Sequence, residues 1–213
     1  MTTLLLVRHG QSRANLEKCF AGHTDAPLTE TGLEQARLTA QYIKEHYNIS
    51  KVYASDLKRA FETGKRISEA FGVEIIPNTN LREIYAGRWE GMAFDDIVAT
   101  YSDDYNLWLT DIGNSKCTEG ESPQELAERF LKELTSIAKE NDGKTIAIAT
   151  HATPIRVTQS TVTTGSLAEM KNIPWVANAS VSELEYDNGE WTFKNIGIND
   201  HLAHLATPLP VNV

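Results

Sequence analysis

Near the start of the chain four apolar residues, Leu4, Leu5, Leu6 and Val7, run directly into Arg8-His9-Gly10. A run this short and this apolar suits a strand covered on both faces, as strands of parallel sheets are. Ligands of open α/β sheets bind beyond the carboxyl ends of such strands, which places Arg8 and His9 at a functional edge. The pattern recurs. Lys51-Val52-Tyr53-Ala54 reads as a strand, with Ser55 and Asp56 expected to cap a helix that runs to Phe71-Gly72. Thr145-Ile146-Ala147-Ile148-Ala149 is a third strand, ending at Thr150-His151, and Thr153-Pro154 starts the helix behind it.

Helical segments lie between these strands. Thr29 or Thr31 can cap a helix carrying Ala36, Ala40, Ile43 and Tyr47 at helical spacing, after Pro27 has blocked helix upstream. Ser122 and Glu125 form a capping box with Pro123 at the first helical position, and Leu126, Phe130, Leu134 and Ile137 share one face before Gly143. The alternation predicts an α/β fold. From Val181 to Tyr186 the pattern changes to period two, breaks at Asn188-Gly189 and resumes from Trp191 to Ile198, which predicts an antiparallel hairpin edging the sheet. Residues 94–121 interleave Asp95, Asp96, Asp103, Asp104 and Asp111 with Tyr101, Tyr105, Leu107 and Trp108, a pattern expected of a short helical insert over one end of the sheet. No Pro/Gly/Ser-rich linker divides the chain, so residues 1–213 are expected to form a single domain.

A net charge of −9 argues against general nucleic-acid binding, which rests on clustered Lys and Arg. Cys19 and Cys117 lack the number and spacing of a disulfide framework or zinc site. The first apolar run is too short for a signal core or membrane span, and no basic segment precedes it; a cytoplasmic protein without membrane contact is expected.

Three predicted strand ends carry reactive residues: Arg8-His9-Gly10, Ser55 to Ala60 with Arg59, and Thr150 to Arg156 with His151. A fourth segment, Leu81 to Gly91, adds Glu83 and Glu90. Phosphoryl transfer needs an in-line nucleophile, positive donors around the equatorial oxygens and an acid for the departing alkoxide. Neutral imidazole can be phosphorylated, and arginine grips oxygens with a planar, permanently charged fork. This set can supply every part.

Four motifs in order, Arg8-His9-Gly10-Gln11-Ser12-x-x-Asn15, Ser55-x-Leu57-x-Arg59-Ala60-x-x-Thr63, Leu81-x-Glu83 with Gly87-x-Trp89-Glu90-Gly91, and Thr150-His151-x-Thr153-Pro154-Ile155-Arg156, resemble the histidine phosphatase superfamily, the phosphoglycerate-mutase-like proteins. The resemblance implies a three-layer α/β/α sandwich with a mainly parallel central sheet, a phosphohistidine mechanism, and no metal or cofactor. By position it makes His9 the nucleophile, Arg8, Arg59 and His151 the phosphate pocket, and Glu83 the proton donor. Asn15 and Gly22 fall where the family adds hydrogen bonds to the phosphate, and Ala152 replaces a frequent glycine whose backbone faces substrate. Ala21 stands where many relatives carry a hydroxyl. Glu90 reads as structural, and Trp108 and Tyr105 as packing residues of the insert or as substrate contacts.

The resemblance points to a phosphoric monoester hydrolase of the histidine acid phosphatase type, acting on a small phosphorylated metabolite. A cofactor-dependent phosphoglycerate mutase is one alternative. The family's mutases carry Glu-Arg-His-Tyr-Gly at the proton donor, whereas this chain has Glu83-Ile84-Tyr85-Ala86-Gly87 followed by an acidic insert. A non-catalytic phosphate-binding or scaffold protein is the other; the presence of all five reactive residues argues against it. The substrate and the oligomeric state are left open.

Overall fold

A computed structural model describes residues 1–207 of the chain. Its strands are β1 (Thr2–Arg8), β2 (Ile49–Ala54), β3 (Ile75–Pro77), β4 (Thr145–Thr150), β5 (Val181–Asp187) and β6 (Glu190–Ile198), in the sheet order β3-β2-β4-β1-β5-β6. The first four pair in parallel, and β5 and β6 add antiparallel to the edge through the Asn188-Gly189 turn. The predicted hairpin is therefore present. The helices are α1 (Arg13–Glu17), α2 (Glu30–His46), α3 (Lys58–Phe71), α4 (Phe94–Thr100), α5 (Ser102–Thr110), α6 (Pro123–Glu140) and α7 (Ala152–Thr164).

Successive strand side chains point to opposite faces of the sheet, and the core divides accordingly. Leu5, Val7, Val52 and Ala147 pack with Ala40 and Ile43 of α2 and Ile67 of α3. Leu4, Leu6, Ile146 and Ile148 pack with Leu126, Phe130, Leu134 and Ile137 of α6 and with Ile155 and Val157 of α7. Three layers result. The capping box at Ser122 and Glu125 is formed, and the four α6 side chains are at most 1% exposed, each worth roughly 1.5–3 kcal/mol of burial.

Two local expectations change. Thr29 caps α2 by accepting from Gly32 N, as its sequence suggests. Ser55 and Asp56, however, do not cap α3: the Lys58 amide donates to Asp25 Oδ1 at 2.7 Å, while Asp56 takes both ends of the Arg82 guanidinium. A carboxylate from a distant loop has displaced the local candidates. Residues 94–121 contain α4, α5 and a 3-10 turn at Ile112–Asn114.

The register places the site. Arg8 pairs with Thr150, and Ala54 with Ala149, so three adjacent strands end level with one another. Their next residues are His9, His151 and Ser55. Gly10 and Gly32 let the chain past His9 run against the start of α2, since a Cβ at Gly10 would collide with the Gly32 carbonyl.

Candidate active site

His9 is 4% exposed, and its Nδ1 lies 2.7 Å from the Gly10 carbonyl. A carbonyl only accepts, so Nδ1 carries the proton and Nε2 keeps its lone pair. The backbone is pinned as well: the His9 carbonyl accepts from Asn178 Nδ2 and from Ala179 N, both at 3.1 Å. The His151 ring meets the His9 ring edge-on, with centroids 5.2 Å apart.

Each arginine is fixed through backbone carbonyls. Arg8 Nη1 donates to Val176 O at 2.6 Å; Arg59 donates from Nη2 to Gly22 O at 2.7 Å and from Nη1 to Thr24 O at 2.9 Å. The 22–24 loop is tied down by Glu90, whose carboxylate accepts from the amides of His23, Thr24 and Ala86 and from the Thr24 hydroxyl. Gly22 has φ +48°, and a Cβ there would strike Glu90, so the glycine is required both by conformation and by space. The structural reading of Glu90 holds, and the feature it supports is the seat of Arg59.

Three polar atoms in this cluster are buried without a partner: the donors Arg8 Nε and Arg59 Nε, and the ring nitrogen His151 Nδ1. Buried polar groups are nearly always paired, so unpaired donors gathered around His9 mark where an acceptor-rich ligand belongs. A cavity of about 780 Å³ opens beside them, lined by Arg8, His9, Asn15, Gly22, Glu83 and Ala152 among others. Arg59 and His151 lie deeper than this lining, 1% and 0% exposed.

Burial chiefly, then the charges of Arg59 and Arg8, hold the His9 imidazole well below the usual histidine range, against the opposing pull of the Gly10 carbonyl. Burial, then Arg59 and the neighbouring His9, depress His151 in the same direction. Burial brings Arg8 down to about 10, opposed by Glu83, which leaves it charged at neutral pH. The site thus holds charged guanidinium groups beside neutral imidazoles. The unfolded chain binds protons on these histidines near the ordinary value of 6.5, while the folded chain resists them, so stability falls as pH drops below that point. In thermal melts we expect Tm to decline from pH 6.5 towards 5, and less steeply in His151→Gln; a Tm that rises over this range would contradict the assignment.

Glu83 is 8% exposed, with Oε1 accepting from its neighbour Ile84 N at 2.9 Å and Oε2 lying 3.4 Å from Thr153 N at the start of α7. Its carboxylate therefore reaches the rim of the cavity beside Ala152. The Asn15 Oδ1 takes donors from Ser12 and Asn178, leaving its Nδ2 as the end available to a ligand. His23 Nε2 is engaged 2.9 Å from the Glu83 carbonyl. Trp108 lines the cavity and packs edge-on against Phe20 and Trp89, whereas Tyr105 packs against Trp89 away from it.

Sequence reasoning passed over Asn178, which joins His9, Asn15 and Thr207 and has no local motif around it. It also passed over Trp175, a cavity wall with the Arg156 guanidinium 4.1 Å above its ring.

The family model of the histidine phosphatase superfamily (branch 1) matches residues 4–199, and the chain belongs to that family. It is similar to phosphoserine phosphatase 1 of Hydrogenobacter thermophilus, 29% identical over 206 residues and 96% of each chain. It is also similar to a probable phosphoglycerate mutase of Serratia proteamaculans, 30% identical over 210 residues, 98% of this chain and 97% of that one. The solved structure of Bacillus stearothermophilus YhfR matches with a TM-score of 0.90 at 27% identity, covering 95% of this chain and 100% of that one.

Proposed function

We propose that this protein is a phosphomonoester hydrolase that acts on small phosphorylated metabolites through a phosphohistidine on His9. The observation that carries the reading is the cluster of three buried, unpartnered nitrogens, two of them guanidinium donors, around a histidine whose Nε2 lone pair is free. A phosphoryl group offers acceptor oxygens to the two orphaned guanidinium donors, and positive fields suit its charge. In the proposed first half-reaction Nε2 attacks phosphorus and the ester P–O bond breaks. Arg8, Arg59 and His151 hold the equatorial oxygens, with Asn15 and the Gly22 and Ala152 backbone completing the cradle. Protonated Glu83 gives its proton to the departing alkoxide. In the second half-reaction Glu83, now a carboxylate, takes a proton from water as the water oxygen attacks phosphorus, releasing orthophosphate and regenerating His9. These side chains supply all the positive charge used, so the scheme calls on no metal or cofactor.

Similarity to a probable mutase raises the other fate, transfer of the phosphoryl group to a second hydroxyl. A bisphosphorylated intermediate needs a second basic subsite. Besides Arg8, Lys18 is the one cationic side chain among the described cavity-lining residues, and Glu17, Glu83 and Asp95 line the same space. This balance supports water as acceptor and a leaving alcohol without a second phosphate. Among the described residues no helix is long and apolar enough to cross a membrane, and both cysteines are free.

The test is a panel of phosphate esters scored as kcat/KM, including 3-phosphoglycerate with bisphosphoglycerate. Phosphate release is expected to dominate on every substrate turned over. Isomerisation faster than release would move the assignment to a mutase, and no turnover on any ester would move it to a binding protein.

A further inference from the structure

His151 Nε2 and Ser55 Oγ are 2.8 Å apart, and both residues are fully buried. The surrounding bonds decide which of the two donates. The Leu57 amide, which can only donate, points at the same Ser55 oxygen at 3.3 Å. The serine O–H must then find an acceptor of its own. Among the described residues the only one bonded to it is His151 Nε2. If His151 instead donated from Nε2, the hydroxyl would take two donors and its own proton would be stranded in a site with no water access, a cost of about 1–3 kcal/mol for an unsatisfied buried group.

We infer that Ser55 is a positioning residue that holds His151 as the Nδ1–H tautomer, so that its orphaned Nδ1 is a fixed donor for a phosphoryl oxygen. The inference rests on the phosphatase reading for its role, but the tautomer itself does not. The two touching imidazoles are then in the same tautomer and serve from opposite ends. His9 donates from Nδ1 to the Gly10 carbonyl and turns a lone pair outward; His151 accepts at Nε2 from Ser55 and turns an N–H outward. The wrong tautomer at His151 would set a lone pair against an anionic oxygen, exchanging an attraction for a repulsion. Ser55 follows β2 and His151 follows β4, its neighbour in the sheet, so the parallel pairing itself delivers hydroxyl to ring.

Long-range ¹H–¹⁵N spectra of the ¹⁵N-histidine-labelled protein at pH 7.5 test this directly, with the His151 signals assigned by their absence in His151→Gln. The wild-type protein is expected to show His151 with a protonated Nδ1 and an unprotonated Nε2. Ser55→Ala is expected to lose that single pattern, leave the His9 pattern unchanged and weaken orthovanadate binding by about 10- to 100-fold, the range for a hydrogen bond to a charged ligand. A protonated Nε2 on His151 in the wild type overturns the inference, whether or not Ser55→Ala folds. So does a Ser55→Ala protein with an unchanged His151 pattern and unchanged vanadate affinity. A protein inactive on every ester yet showing the expected wild-type pattern would remove the phosphatase reading while leaving the tautomer assignment in place.

Discussion

His9→Ala is expected to lower kcat/KM by about 10⁴-fold or more on every phosphate ester, because it removes the atom to which phosphorus is transferred. The accompanying observation is qualitative: acid-quenched wild type given labelled ester retains an acid-labile phosphate, and the variant retains none. The small side chain leaves Arg8, Arg59 and His151 in place, so the variant is expected still to bind the substrate. A His9→Ala protein that keeps a tenth of wild-type turnover would exclude the covalent route and leave direct attack by water.

Glu83→Gln is expected to have the next largest effect, and its size depends on the leaving group. The amide cannot deliver a proton, so alkyl phosphates should lose about 10²- to 10⁴-fold in the first half-reaction, while aryl phosphates, whose leaving oxygen is already weakly basic, should lose far less. Pre-steady-state measurement of alcohol or phenol release isolates that step from hydrolysis of the intermediate, where the same residue would act as base. Equal losses on both ester classes would take Glu83 out of the acid role. The position of its carboxylate between the Ile84 and Thr153 amides suits both halves of the cycle, since neither contact occupies every lone pair.

What could be read from the chain, and what could not, divides by range. The strands β1, β2 and β4, the hairpin, and the capped helices α2 and α6 all announce themselves through local patterns. Strand β3 does not: three residues ending in Pro77 offer too little periodicity to distinguish a strand from a loop. The cap of α3 is not legible locally, because Asp25 lies 33 residues away from the amide whose hydrogen bond it accepts. The site follows the same rule. Arg8, His9, Arg59, Glu83 and His151 sit in short local motifs that become recognisable through their order along the chain, and parallel pairing accounts for His9 beside His151. The supports were out of view. Glu90 reads as structural in the sequence, but that it seats Arg59 through the 22–24 loop depends on contacts between separate segments. Asn178 belongs to the same class, a single amide from a loop bridging His9 and Asn15.

The unpaired donors around His9 have a consequence for regulation by the product. On the proposed function they serve a tetrahedral anion rather than the alcohol attached to it. On the proposed chemistry, free orthophosphate satisfies the same guanidinium and imidazole groups as the ester does, and it leaves the cavity beyond them vacant. The enzyme would therefore slow as inorganic phosphate accumulates, competitively and without a separate regulatory site, so that its working rate tracks the phosphate status of its surroundings.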